Sequence, residues 1–184
     1  MKIVTIGRGN VGGGLARLWR EAGHKVTTLG RDGGDASDAD VILLAVPSDQ
    51  IESALTETVT GVEGKIVIDA CYAFHGRQGD YPSLAHQVKE LVGGPVAKAF
   101  NVNYARLYEQ IADQRVRPSN LYAADDDARE VTEQLISDAG YDPVYVGGLD
   151  QARAMEDHLA GLSMAVVKAG LGQFFYRYAK PGEL

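Results

Sequence analysis

One spacing near the N-terminus restricts this chain to few folds. Residues 2–6 read KIVTI, a short apolar run suited to a buried parallel strand. Gly7-Arg8-Gly9-Asn10-Val11-Gly12 follows at once, with the spacing GxGxxG. Leu15, Ala16, Leu18, Trp19 and Ala22 then recur at helical period, Gly23 closes the helix, and Lys25 to Leu29 (KVTTL) is strand again. In a chain with 22 glycines GxGxxG alone is a weak signal, and the alternative is a glycine turn with no ligand. Between a strand and a helix the spacing is far more specific. There Gly7 permits the tight turn, Gly9 lets backbone approach a pyrophosphate, and Gly12 lets the helix pack on the strand. The helix start offers its N–H groups to negative charge. Gly7, Arg8, Gly9, Asn10, Val11 and Gly12 are therefore candidate dinucleotide contacts.

The rest of the chain continues the alternation. Asp40 to Val46 (DVILLAV) is a third strand, stopped by Pro47, and Ser48 starts a helix to about Val59. Lys65 to Ala70 is a fourth strand, Ser83 caps a helix to about Val92, and Val96 to Phe100 is a fifth strand. A sixth begins at Leu121, Asp125 caps a helix to Ala139, and Pro143 to Val146 is a seventh. A helical stretch from about Asp150 to Tyr178 ends the chain. Strands alternating with helices predict an α/β chain, a Rossmann-type doubly wound, mostly parallel sheet. Residues 1–148 form the dinucleotide-binding domain and residues 149–184 its C-terminal helical extension.

One connection is short. Only Gly30 to Ala39 lie between the second strand and DVILLAV, where a doubly wound fold normally places a helix and a strand. Ten extended residues reach about 33 Å at most. The crossover must then be nearly extended, one helix–strand unit is missing, and KVTTL lies at the sheet edge.

Composition narrows the function. The 184 residues carry 18 Lys plus Arg against 25 Asp plus Glu, a formal charge of −7, which disfavours nucleic acid and anionic membrane surfaces. The longest clean apolar run, Val41 to Val46, is far short of a membrane span. The chain enters a strand directly after Met1-Lys2, so no signal peptide and a cytoplasmic location are expected. A single cysteine excludes an internal disulfide framework and a Cys-based zinc site, and no metal is expected.

The end of the second strand bears on which dinucleotide fits. An NAD site usually has Asp or Glu there, accepting from the ribose hydroxyls. Here the strand ends Thr28-Leu29-Gly30-Arg31. Arg31 falls where a 2′-phosphate would lie, and a guanidinium offers it paired donors and a permanent charge. Arg8 is placed to stack on the adenine or to add positive charge. Shifted by one residue, Asp32 would take the ribose and favour NAD.

Ala45-Val46-Pro47 and Ala70-Cys71-Tyr72 end the third and fourth strands, where the ligand of an open α/β sheet lies. Small residues there leave room for a flat nicotinamide ring. The chain has no HExxH, GxSxG or Walker lysine, and Tyr176 with Lys180 forms a YxxxK spacing read as chance. Glu156-Asp157-His158 reads as the solvated face of the last helix. Leu149, Ala152, Met155, Leu159, Leu162 and Val166 form its apolar stripe, a core face or the seam of a homodimer.

GRGNVG, the GR after the second strand, DVILLAVP, KIVIDA, VAKAFN and GGLDQAR occur in that order over nearly the whole chain. Together they resemble the NADP oxidoreductase family typified by NADPH-dependent reductases of the deazaflavin coenzyme F(420). The resemblance implies that the glycine loop and a Ser-Arg pair hold NADP(H). Here the pair is Gly30-Arg31, so the serine is lost and the arginine remains. It further implies direct hydride transfer to a small-molecule acceptor, F(420) or a flavin, a reaction that needs positioning more than an acid or base. No catalytic residue is assigned. The expected acceptor wall is Tyr72, Phe74, His75, Asn101, Asn103 and Tyr104, with Arg77 and Arg106 steering an anionic tail. An imine or carbonyl reductase, with His75 or Tyr104 as proton donor, and a non-catalytic NADPH sensor remain alternatives.

Overall fold

In the computed structural model, which describes residues 1–183, strands and helices alternate as the sequence spacing requires. The strands are β1 (Lys2–Ile6), β2 (Lys25–Leu29), β3 (Gly34–Asp35), β4 (Val41–Leu44), β5 (Val59–Thr60), β6 (Ile66–Asp69), β7 (Val96–Ala99), β8 (Ser119–Ala124) and β9 (Asp142–Gly147). The helices are α1 (Asn10–Glu21), α2 (Ile51–Ser53), α3 (Leu84–Val92), α4 (Asp126–Asp138), α5 (Ala152–His158) and α6 (Met164–Val166). A 3-10 turn before α2 and a π turn after it extend that helical segment over residues 48–58.

Seven strands form one sheet in the order β2-β1-β4-β6-β7-β8-β9, with β2 at the edge as expected. All neighbours are parallel except β7 and β8. The chain between β7 and β8 turns back without a crossover helix, so β8 starts beside the end of β7 and runs the other way. The sheet's side chains alternate between two cores. Val4, Ile42, Val67 and Val96 face α3 and the 48–58 segment; Ile3, Leu43, Ile68 and Ala97 face α1 and α4. On that second face the Trp19 indole N–H donates to the Leu135 carbonyl at 2.8 Å, tying α1 to α4. Ser83 caps α3 by accepting from the His86 N–H, and Gly93 ends it in the left-handed region. Asp125 precedes α4 but does not cap it; its carboxylate accepts from the Val96 N–H and Lys89 instead.

The short crossover holds no helix, but it is not extended throughout: turns closed by the Gly33 N–H on the Gly30 carbonyl and the Ala39 N–H on the Ala36 carbonyl flank β3, which anchors it. β3 pairs with β5 in a two-stranded parallel patch outside the main sheet. Ala36 and Ala39 are buried where a helix would otherwise cover the sheet edge. Gly33 has φ +72° and an ideal Cβ there would lie 1.9 Å from the Thr58 carbonyl oxygen.

The C-terminal stretch departs from expectation at its end. Its helical turns run through α5 and α6 but stop at Leu171, not Tyr178. Gly170 and Gly172, both at positive φ, break the helix, and the chain continues as irregular backbone. That tail lies along β8: the Ser119 N–H donates to the Tyr176 carbonyl and the Tyr178 N–H to Ser119 Oγ. Leu149, Ala152, Met155 and Leu159 are buried against their own chain, whereas Leu162 is 66% exposed. The first half of the apolar stripe is therefore core.

Gly33→Ala should lower stability by on the order of 2 kcal/mol, since it adds backbone strain and a clash together. Urea unfolding checks this; an unchanged midpoint would mean the crossover is not held at Gly33.

Candidate functional site

Strand register sets the site. Ile6 lies opposite Leu29 and Leu44, and Leu44 opposite Asp69, so β2, β1, β4 and β6 end level. The ladder runs one residue further: the Ala45 N–H donates to the Ile6 carbonyl and the Ala70 N–H to the Leu44 carbonyl. The loops after these strands leave the sheet side by side and line one continuous groove.

Close backbone approach builds its floor. Gly7 has φ +105°, and a Cβ there would lie 2.2 Å from the Ala45 carbonyl oxygen. A Cβ on Gly12 would lie 1.9 Å from the Gly7 carbonyl oxygen. Gly12 thus packs the helix and does not itself line the groove. Nothing lies within 4 Å of a Cβ built on Gly9, which leaves backbone open to the groove. Gly9 is also the N-cap of α1 and supplies no side-chain bond; the first turn holds no acid. The positive end of a 12-residue helix therefore faces the groove without an internal counter-charge.

One part of the groove, about 540 Å³, is lined by Gly7, Arg8, Gly9, Gly30, Arg31, Ala45, Val46 and Pro47. Its opposite wall is Gln50, Ser53, Ala54 and Thr58. The sequence reading missed these four, although a helix starting directly after Pro47 had to turn one face toward the strand ends. Asp32 does not line the groove; its side chain is 94% exposed, with its carboxylate 3.8 Å from Arg8 Nη2. An acid accepting from a ribose is thus absent from this wall.

The groove continues over Asn10, Val11, Ala70, Tyr72 and Phe74 into a space of about 260 Å³. A third space, about 300 Å³, adds Asn103, Tyr104, Arg106, Leu159, Met164 and Gln173. Tyr72 and Phe74 stack at 5.5 Å between centroids, 16° from parallel, and Phe74 is 61% exposed. Burial pushes the Tyr72 hydroxyl up to about 12 and raises that of Tyr104.

Several expected residues take other positions. Cys71 does not line the groove: its side chain is in the core, its thiol faces the Leu44 carbonyl, and burial pushes its pKa well up. Asn101 is buried away from the groove and donates to the Met155 carbonyl. The side chain of His75 lies outside the described residues. Arg77 is not free to steer a ligand, because Glu156 and Asp157 hold it at 2.8 Å each. Tyr176 is no proton donor: its buried hydroxyl donates to Asn103 Oδ1 and accepts from the Leu121 N–H.

Glu156 is the largest departure. Far from being solvated, its side chain is fully buried, as are those of Lys98 and Asp69. β9 ends at the far edge of the sheet, so α5 runs back toward the groove and delivers Glu156 beneath it. Lys98 Nζ lies 2.7 Å from Asp69, 2.9 Å from the Cys71 carbonyl and 3.4 Å from Glu156. Burial would lower the Lys98 pKa, but the two carboxylates outweigh it and hold it above the usual lysine value. Glu156 also accepts from the Leu84 N–H. Sheet, 71–81 loop and α5 are joined by these charges, which fix the loop carrying Tyr72 and Phe74. A lysine inside the apolar strand VAKAF was the available signal.

Fold and site together define a Rossmann-type α/β architecture with an open groove across the strand ends. A candidate F(420)-dependent NADP reductase from Arthrobacter sp. FB24 is similar over 98% of this chain and 100% of its own, with TM-score 0.79 and 23% identity. Its description is that of the family the sequence motifs resemble. A hypothetical protein from Sinorhizobium meliloti is 28% identical over 81% of this chain and 86% of its own, with TM-score 0.66. An imine reductase from Pseudomonas sp. is 18% identical over 91% of this chain, with TM-score 0.68, and this chain spans 63% of its length. No family model and no curated protein matches the chain.

Lys98→Met should cost about 3–5 kcal/mol by leaving the buried Asp69 carboxylate without a counter-charge, while Glu156 keeps Arg77. The triple variant with Asp69→Asn and Glu156→Gln should recover part of that loss in chemical denaturation. A neutral Lys98→Met would contradict the pairing. Cys71 should stay unreactive toward a thiol reagent at neutral pH until urea unfolds the chain; rapid labelling of the native protein would place it in the groove after all.

Proposed function

We propose that the chain is an NADPH-dependent oxidoreductase that passes a hydride between nicotinamide and a flat deazaflavin or flavin-type acceptor. The observation that carries this reading is the groove's polarity. An uncapped, acid-free helix start lies at its middle, two arginines at one end and an apolar, aromatic wall at the other. The N–H groups of α1 suit a pyrophosphate, Arg31 a 2′-phosphate, and Ala45, Ala70 and Val11 the flat nicotinamide. When bound, the reduced nicotinamide supplies a hydride, two electrons with one proton, to the acceptor.

The protein's own part is positioning. Tyr72 and Phe74 wall the space where the acceptor ring would lie, and Leu159 and Met164 close it from the C-terminal segment. Stacking two planar rings at about 3–3.5 Å is itself the geometry for transfer. A second proton for a flavin-type ring nitrogen can come from water through the open groove. Arg106 remains to attract an anionic tail. No membrane-spanning helix is present among the described residues.

Imine or carbonyl reduction is the second reading, favoured by the imine reductase from Pseudomonas sp. and by a reductive aminase from Aspergillus terreus in complex with NADPH. The aminase is 16% identical, with TM-score 0.66, and this chain spans 62% of its length. Tyr104 is its available donor in the described groove. Its raised pKa makes it a poorer acid, and its hydroxyl already points to the Ser163 carbonyl at 3.4 Å.

NADPH oxidation should be measured with the deazaflavin, FMN, FAD, ferric chelates, imines and small carbonyls. Turnover is expected with the deazaflavin or a flavin. Turnover of imines or carbonyls alone would move the assignment to the second reading, and binding without any turnover would indicate an NADPH sensor. Arg31→Ala should weaken NADPH binding roughly 10- to 150-fold, the range of one charge-assisted hydrogen bond, and leave NADH little changed. Equal losses for both would refute the 2′-phosphate assignment.

A further inference from the structure

Gly30 is a glycine without a backbone reason. Its φ is not in the left-handed region. What fills the place of a side chain there is Arg8: a Cβ on Gly30 would lie 2.6 Å from Arg8 Cζ and Nε and 2.9 Å from Nη2. The guanidinium therefore sits over the end of β2, beside Arg31, in the wall of the same space.

Nothing among the described residues accounts for that seat. Arg8 donates no hydrogen bond to any described residue. Its one ionic neighbour, Asp32, is 3.8 Å away, with side chains 66% and 94% exposed, a pairing worth little in water. Arg17, Arg20, Arg77, Arg129, Arg153 and Arg177, by contrast, each donate to a neighbouring carboxylate or carbonyl. Arg8 keeps its donors free and its charge toward the groove. A phosphomonoester asks for such paired donors, and a ribose hydroxyl does not.

We propose that Arg8, seated over the vacant side-chain position of Gly30, is a specificity-determining residue that reads the 2′-phosphate of NADPH jointly with Arg31. The proposal rests on the NADPH reading above and adds a division of labour. Arg31 comes from the strand end, whereas Arg8 reaches across from the glycine loop, and Gly30 is required only to leave Arg8 its seat. Adenine stacking by Arg8 is the competing role, and it would serve NADH and NADPH alike.

The test is calorimetric titration of the full chain with NADPH and with NADH at one fixed salt concentration. Arg8→Ala should weaken NADPH by about tenfold or more, and NADH by less than about twofold. Gly30→Ala should shift NADPH affinity in the same direction by evicting the guanidinium. In the Arg8→Ala background Gly30→Ala should then have almost no effect, because nothing is left to evict. Equal weakening of both nucleotides by Arg8→Ala would overturn the proposal in favour of stacking. Independent, multiplying effects of the two substitutions would also overturn it. A wild-type preference for NADPH that Arg8→Ala leaves undiminished overturns this inference alone, since Arg31 would then account for all of it. A wild-type protein with no such preference overturns it together with the NADPH reading.

Discussion

A single ammonium group, buried beneath the ends of the strands, holds together the parts from which the groove is made. Lys98 stands on β7, Asp69 on the neighbouring strand β6, and Glu156 arrives from α5 across the sheet face. Beyond Glu156 the charges continue to alternate through Arg77, Asp157 and Arg153. Removing Lys98 leaves the Asp69 carboxylate uncompensated where water cannot reach it, while Glu156 retains Arg77. The loop with Tyr72 and Phe74 is thus tied to both the sheet and the C-terminal segment. Its aromatic wall has a fixed place although much of it is exposed.

The glycine-loop end of the groove depends on a different constraint, backbone meeting backbone. Gly7 against Ala45, and Gly12 against Gly7, leave no room for a methyl group. This half was legible in the sequence, because GxGxxG after a strand admits few other readings and because short continuous apolar runs mark which strands are buried. Ten residues after β2 foretold a crossover without a helix and an edge strand by chain length alone, but not the two turns that fold it. The β3–β5 patch that anchors it carried no such signal: Gly33-Gly34 reads only as a turn until Thr58 is seen beside it.

The other half was poorly legible for a physical reason. Buried charge looks like solvated charge in a sequence, since a helix face carrying Glu156, Asp157 and Arg153 matches a surface pattern. Only the direction in which α5 returns over the sheet decides that Glu156 goes inward. Cys71 and Asn101 misled in the opposite sense. Both follow strand ends, where ligands gather, yet the first points into the core and the second braces the Met155 carbonyl. The helix end at Leu171 turned on two glycines whose positive φ was not predictable from helical apolar spacing.

A crystal structure with oxidised NADP is the most direct measurement of the central claim. The pyrophosphate should lie on the N-terminal turn of α1 and the 2′-phosphate within hydrogen-bond distance of Arg31. The nicotinamide should lie between Ala45, Ala70 and Tyr72, with one face open toward Tyr104. A nucleotide bound in the reverse direction, or a groove that excludes the dinucleotide, would contradict it.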